Sequence, residues 1–215
     1  VTAQQDHTSA ARKPSPGPVG RLAEYRTFLT SAVRNPREVG AATPTSAAVA
    51  ATVAQVVPTT GTPVVLELGP GTGSLSGGIH ERLPAGARHI GIELVDEMVE
   101  HLRAHAPWME LVHGDAGDLV PLLAERGVDR VDAVISSIPW SLLPDDEQDR
   151  VLGEVTKVLA PHGAFTALTY LPAEHNPGGK RFRTRLATTF DEVLTHTTWR
   201  NFPPILHYIC RRPLH

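Results

Sequence analysis

Cysteine is almost missing from this 215-residue chain. The one thiol, Cys210, cannot close an internal disulfide or build a cysteine metal cluster, and a reducing cytoplasm is the expected setting. No apolar run reaches the length of a membrane-spanning helix. Nor does an apolar signal-like stretch stand near the N-terminus. Any membrane contact is therefore expected to be peripheral, on the inner face. An excess of one charge is also lacking: 20 Lys and Arg face 23 Asp and Glu, a formal net charge of -3. That excludes attachment to nucleic acid through bulk charge, although a local basic patch stays open. The 11 histidines show no ligand spacing with a partner carboxylate, so no metal site is expected.

What is present is the composition of a globular protein, 41% hydrophobic and 20% charged. The length suits one α/β domain with a full core. Residues 1–20 are polar and rich in Ser, Pro, Gly and Gln, which predicts a disordered arm ahead of a single domain over 21–215. Leu22, Tyr25, Phe28, Leu29 and Val33 recur at helical spacing among charged residues, predicting an amphipathic helix over Arg21–Arg34. Thr45 or Ser46 can cap a second, Ala-rich helix reaching Val57.

A strand–helix alternation follows. Apolar strands are predicted at 63–68, 89–93, 109–113, 131–135 and 164–170. Helical patterns separate them at 75–82, 95–105, 119–125 and 145–159. This order implies right-handed crossovers and a parallel sheet with helices on both faces. Two more strands, 192–200 and 205–211, are joined by Asn201-Phe-Pro-Pro204 and are expected to form an antiparallel edge pair.

The most informative segment is Glu67-Leu-Gly69-Pro-Gly71-Thr-Gly73. It follows the first strand and opens a helix, and its glycines let the backbone approach a ligand closely. A G-x-G-x-x-G dinucleotide loop would have its third glycine at position 74, which is Ser74. Glu67 at the strand end would repel a pyrophosphate but attract the ammonium and sulfonium of S-adenosylmethionine. Glu93 ends the second strand, about twenty residues beyond the loop, where a carboxylate can accept both ribose hydroxyls. Asp115 follows the third strand and can accept from an adenine amino group, with the Ala116 N–H offered to the ring. Helix capping would account for Glu93 and Asp115, but not for the loop and Glu67. The expected cofactor site is Glu67, Gly69, Gly71, Gly73, Glu93, Leu94, Asp115, Ala116 and Ser136. At the end of the fourth strand, Ser136-Ser137-Ile138-Pro139-Trp140 faces the methyl group. A hydroxyl or carbonyl here can orient an amine lone pair, and an aromatic face can hold the acceptor. Ser136, Ser137, Trp140 and Tyr170 are the candidate catalytic residues. The alternative for Trp140 is a ring that plugs the sheet edge behind a proline turn.

With these residues quoted, the chain resembles class I S-adenosylmethionine-dependent methyltransferases, and among them the bacterial phospholipid N-methyltransferase family. The likeness runs over nearly everything after residue 25. It is carried by Phe28-Leu29, Pro36, Gly40-Ala-Ala-Thr-Pro-Thr-Ser46, Val65 to Gly73, Gly114-Asp115-Ala116, Ser136-Ser-Ile-Pro139, Thr169-Tyr170, Asn201 to Pro204 and Arg211-Arg212. It implies a Rossmann-like α/β fold, a mostly parallel seven-stranded sheet with an antiparallel edge strand. It implies S-adenosylmethionine as donor, S-adenosylhomocysteine as product, and a phosphatidylethanolamine-type amine as acceptor. The family's core is similar to that of ribosomal RNA adenine dimethyltransferases. Here Ser136 or Ser137 replaces the Asn of their Asn-Leu/Ile-Pro-Tyr motif, and the chain is mildly acidic; both count against RNA. N- or O-methylation of a soluble metabolite is the alternative, with non-catalytic cofactor binding a third reading. The basic run Lys180–Arg185 follows Asn176-Pro-Gly-Gly179, read as flexible. Together with the Arg21–Arg34 helix it is expected to contact an anionic membrane, against the alternative of a solvated helix face. The sequence does not fix an oligomeric state.

Overall fold

The computed structural model describes residues 47–214. The expected arm over 1–20, the Arg21–Arg34 helix and the Thr45 or Ser46 cap lie outside the described residues. In chain order the elements are α1 (Ala47–Val53), β1 (Val64–Leu68), α2 (Ser76–Arg82), β2 (Arg88–Glu93), α3 (Asp96–His105), β3 (Glu110–His113) and α4 (Leu119–Ala124). They continue with β4 (Val131–Ser136), α5 (Asp145–Val158), β5 (Leu159–Tyr170), α6 (Pro177–Thr189), β6 (Phe190–Thr198) and β7 (Ile205–Pro213).

The seven strands form one sheet in the order β3-β2-β1-β4-β5-β7-β6. β1 to β5 are parallel, and β7 runs antiparallel to both β5 and β6. The antiparallel strand therefore lies one place in from the rim, and β6 is the outer edge. From β1 the chain steps out to β2 and β3, then returns to β4 on the other side of β1. The ends of β1 and β4 thus flank the point where strand order reverses, the crevice in which open α/β sheets bind ligands.

Alternation along β1 sorts the core into two layers. Leu66 and Leu68 join Leu119, Leu123, Val151, Val155, Phe182 and Leu186 from α4, α5 and α6 on one face. Val65 joins Val49 and Val53 from α1, Leu75 just ahead of α2 and Ile79 within it on the other. Cys210 is buried, and that burial pushes its thiol up to about 12, so it is inert. Among the described residues no helix is long and apolar enough to cross a membrane.

Two sequence readings change. Asn176-Pro-Gly-Gly179 is no flexible link but the start of α6: Asn176 caps it by accepting from the Gly179 N–H at 2.7 Å, and Pro177 occupies its first turn. Both glycines are needed for close packing, because a Cβ at Gly178 would lie 2.0 Å from the Ser141 carbonyl and one at Gly179 2.2 Å from that of Ala173. The fifth strand also begins earlier than the expected 164, at Leu159, with a register shift against β4 between Val131 and Ala133.

Candidate active site

The strand ends that converge on the crevice continue their ladders one residue into the loops. Gly69 N–H donates to Ile92 O, Ser137 N–H to Leu68 O and Gly114 N–H to Glu93 O, each at 2.9 Å. The loop after β1 needs its glycines for backbone shape: Gly69, Gly71 and Gly73 have φ of 63°, 58° and 78°. At Gly71 an added Cβ would meet nothing nearer than the Gly69 carbonyl at 4.0 Å, so this side of the loop is open. Gly71→Ala is accordingly expected to cost about 1–2 kcal/mol through φ alone and to weaken S-adenosylmethionine binding. Unchanged affinity by titration calorimetry would remove the loop from the cofactor site.

Glu93 is buried at the end of β2. Its Oε2 accepts from the Gly71 N–H at 2.9 Å, and its Oε1 accepts from the Leu94 and Val95 N–H groups, each at 2.9 Å. The carboxylate therefore both ends its strand and ties the glycine loop to it. Burial raises its pKa above the usual glutamate value; the three backbone bonds oppose that, and the nearby Glu67 charge adds to it. Glu67 lies beneath the loop rather than on its open side, fully buried. Ser76 Oγ donates to its Oε2 at 2.8 Å, and His89 Nε2 is 3.0 Å from the same oxygen. Among the described residues Glu67 Oε1 and His89 Nδ1 have no hydrogen-bond partner. Any attraction Glu67 exerts on a cation above the loop is thus one of field through a dry medium, not of contact. Asp115 does cap: its Oδ1 accepts from the Gly117 N–H at 2.8 Å and from Arg150 Nη2 at 2.9 Å. Ala116 follows it, buried, in a 3-10 turn that ends at Asp118.

Beyond β4 the candidates divide. Ser136 is buried, and its Oγ accepts from the Trp140 indole N–H at 2.9 Å. Ser137 is half-buried beside the loop, and its hydroxyl makes no hydrogen bond among the described residues. Ile138 leans over Gly69, with its Cγ1 3.4 Å from where a Cβ would stand. Tyr170 ends β5, half-buried, with its phenol pushed up by burial. Trp140 is not where an acceptor-holding ring would be. It is 0% exposed, stacked on Phe182 at 4.4 Å and edge-on to Phe165 at 6.0 Å. Its 3-10 turn faces the interior because α6 packs against it, so the sheet-plugging alternative describes Trp140 and the aromatic acceptor wall does not. His207 is also buried, 2.9 Å from Thr198 Oγ1, and burial ahead of the nearby His196 lowers its pKa to about 4.

The basic run is likewise largely committed within the fold. Arg181 pairs with Asp145, Arg183 with Glu174 at 3.1 Å, and Arg185 with Asp149 at 2.5 Å. Lys180 alone of the four forms no ion pair among the described residues. Glu174 is buried and also accepts from the Tyr208 hydroxyl, which secures the turn leaving β5. The residues that sequence reasoning missed are Ser76, His89 and Arg150. His89 had a visible signal, a polar side chain next to the apolar Ile90-Gly-Ile92 of its strand; Arg150 sits 35 residues from Asp115 and had none.

An open glycine loop flanked by two buried carboxylates, beside a capped acid after β3, fits a cationic amino acid joined to a nucleoside. Among the described residues no group of three His, Cys, Asp or Glu could hold a metal ion. Residues 65–163 match the family model described as a methyltransferase domain. The chain is 30% identical over 193 residues to an ornithine lipid N-methyltransferase of Singulisphaera acidiphila, covering 88% of this chain and 97% of that protein. The fold is similar to that of the Burkholderia thailandensis 1,6-didemethyltoxoflavin-N1-methyltransferase, solved with S-adenosylhomocysteine, at a TM-score of 0.66 and 18% identity over 98% of this chain and 99% of that one. It is also similar to the O-methyltransferase TomG of Streptomyces achromogenes, solved with S-adenosylmethionine, at 0.60 and 18% over 85% of this chain and 89% of that one. The sheet, the loop and these relatives together establish that the chain belongs to the S-adenosylmethionine-dependent methyltransferases, enzymes that take their methyl group from S-adenosylmethionine and leave S-adenosylhomocysteine.

Proposed function

We propose that this enzyme N-methylates the amine of a lipid head group. The observation that carries the reading is the 30% identity, over nearly the full length of both chains, to an ornithine lipid N-methyltransferase. The site chemistry supports it. When bound, S-adenosylmethionine supplies a methyl carbon already activated by its sulfonium. Glu93, with Asp115 and the glycine loop, would hold the donor. Ser137 and Tyr170, at the ends of β4 and β5, offer hydroxyls that can accept from an amine N–H and turn its lone pair toward the donor. Such positioning supplies much of the catalysis in an in-line displacement. A partly desolvated pocket lowers the pKa of an ammonium, so the acceptor arrives with its lone pair free.

The test is transfer of labelled methyl groups into lipid amines dispersed in detergent micelles, followed by organic extraction and head-group identification. Label in an aminolipid head group is the expected result. Label that stays in water-soluble products would overturn the lipid reading in favour of a small-metabolite enzyme. Chelation with EDTA is expected to leave the rate unchanged, because the donor is electrophilic without a Lewis acid. Activity lost to EDTA and restored by magnesium or zinc would refute this.

A further inference from the structure

We propose that the turn between β6 and β7, residues 199–204, is the surface through which the enzyme docks on a lipid bilayer, with Trp199 and Phe202 entering the interface and Arg200 meeting anionic head groups. The inference rests on the lipid-amine reading above and adds to it a place of contact.

The turn inverts the usual burial order. Trp199 is 71% exposed and Phe202 84%, while Asn201 between them is only 5% exposed. Asn201 Nδ2 donates to the Pro203 carbonyl at 2.9 Å, and the Pro204 carbonyl accepts from the Leu171 N–H at 2.8 Å. The polar side chain is thus used inside to brace the turn, and the turn is tied to the segment leaving β5. Trp199 and Phe202 stay exposed on this braced backbone. Bulky amphipathic rings such as Trp partition to the head-group level of bilayers, where an apolar body and a polar edge are both satisfied.

Its position suits an enzyme whose acceptor is a lipid. β6 runs parallel to the first five strands, so it ends on the same rim as they do. Tyr170, Ile205 and Thr198 form one row across β5, β7 and β6. Two strand spacings separate Tyr170 from Thr198, about 10 Å, and Trp199 is the next residue. A bilayer touching this turn lies beside the candidate acceptor end of the crevice.

The charges agree. The arginines of α6 are paired with Asp145, Asp149 and Glu174, which partly neutralises the run expected to contact membrane. Arg200 in the turn is exposed and forms no ion pair among the described residues, like Lys180 in the first turn of α6. These two cations are left for anionic head groups. A stable protein partner needs about 800 Å² from each side, more than a protruding turn of this length presents, whereas a bilayer needs only a wedge.

The test compares the protein with a Trp199→Ala, Phe202→Ala double variant on vesicles of phosphatidylglycerol and phosphatidylcholine. The unmodified protein is expected to float with the vesicles, with binding that falls as salt is raised. In a Trp108→Phe background, lipids brominated near the top of their chains are expected to quench the emission of Trp199. The double variant should partition at least tenfold more weakly while keeping its melting temperature, its S-adenosylmethionine affinity and its transfer to micellar lipid amines. Vesicle binding equal to that of the unmodified protein, absence of vesicle binding by the unmodified protein, or unquenched Trp199 emission would each overturn the proposal. So would a change in sedimenting mass of the double variant with no effect of vesicles, which would make the turn a contact between copies. Failure of the lipid reading looks different: no lipid amine is methylated even in micelles. Transfer in micelles with vesicle binding indifferent to the two rings removes only the docking surface.

Discussion

Glu93→Ala is expected to weaken S-adenosylmethionine binding by about ten- to a hundredfold, the equivalent of roughly 1–3 kcal/mol for lost hydrogen bonds to a charged group. Two losses combine. On the proposed site the ribose would lose its acceptor, and the glycine loop loses its tether, because the Gly71 N–H is held by Glu93 Oε2. Three backbone N–H groups are orphaned at once, those of Gly71, Leu94 and Val95. A drop in folding stability of about 1–3 kcal/mol should follow, moderated by water that enters the vacated volume. Glu93→Gln separates the two effects. Its carbonyl can still serve Leu94 and Val95, but its NH2 faces the Gly71 donor, so affinity should fall more than stability. The pH dependence has a definite sign. The pKa of Glu93 is raised, first by burial, above the ordinary 4.5. The folded protein therefore keeps this proton where the unfolded chain has released it, and the stability contributed by this group falls as pH rises from 4.5 to the raised value. Cofactor affinity should run the other way over that window, because the ribose hydroxyls and the sulfonium favour the ionised carboxylate. Calorimetric titrations across the window check both. An affinity indifferent to pH there and to Glu93→Ala would take Glu93 out of the site.

The parts of this molecule legible in its sequence are those fixed by local pattern. The parallel strands are continuous apolar runs because both faces of the sheet are covered, and the Gly69–Gly73 loop is a backbone requirement written into residue type. Contacts made across the fold are not written that way. Asn176-Pro-Gly-Gly179 has the composition of a linker. Only the approach of Ser141 and Ala173 reveals why a helix should begin with two glycines. Lys180 to Arg185 has the composition of a membrane patch, and Asp145 and Asp149, which neutralise two of its arginines, lie more than thirty residues earlier. The site shows the same division. Glu93 and Asp115 sit at the strand ends their spacing indicated, whereas the depth of Glu67 beneath the loop depends on His89 and Ser76 meeting it there.

Trp140→Ala should be the most destabilising single change near the site. The indole is fully buried, lies flat on Phe182 at 4.4 Å, meets Phe165 edge-on and donates to Ser136 Oγ at 2.9 Å. Truncating a buried aromatic of this size costs about 3–5 kcal/mol, which in a protein of this length lowers the melting temperature by on the order of 10 °C. The conservative Trp140→Phe isolates what the ring does. It can keep a stack on Phe182 but loses the N–H bond to Ser136 and part of the buried indole volume, so about 2–3 kcal/mol is expected. Its kinetic signature separates a positioning residue from a substrate-binding one. The Ser136 hydroxyl, released from the indole, turns freely next to the glycine loop and Ser137. Trp140→Phe should therefore lower kcat modestly and leave the KM of the acceptor amine nearly unchanged. A raised acceptor KM with an unchanged melting temperature would mean that the indole touches substrate, and would contradict its place between β5 and α6. Thermal unfolding and steady-state kinetics on the same preparation give both numbers, and the Phe182→Leu variant supplies the control. It loosens the stack from the other side, so it should lower the melting temperature without touching the Ser136 bond, and kcat should hold.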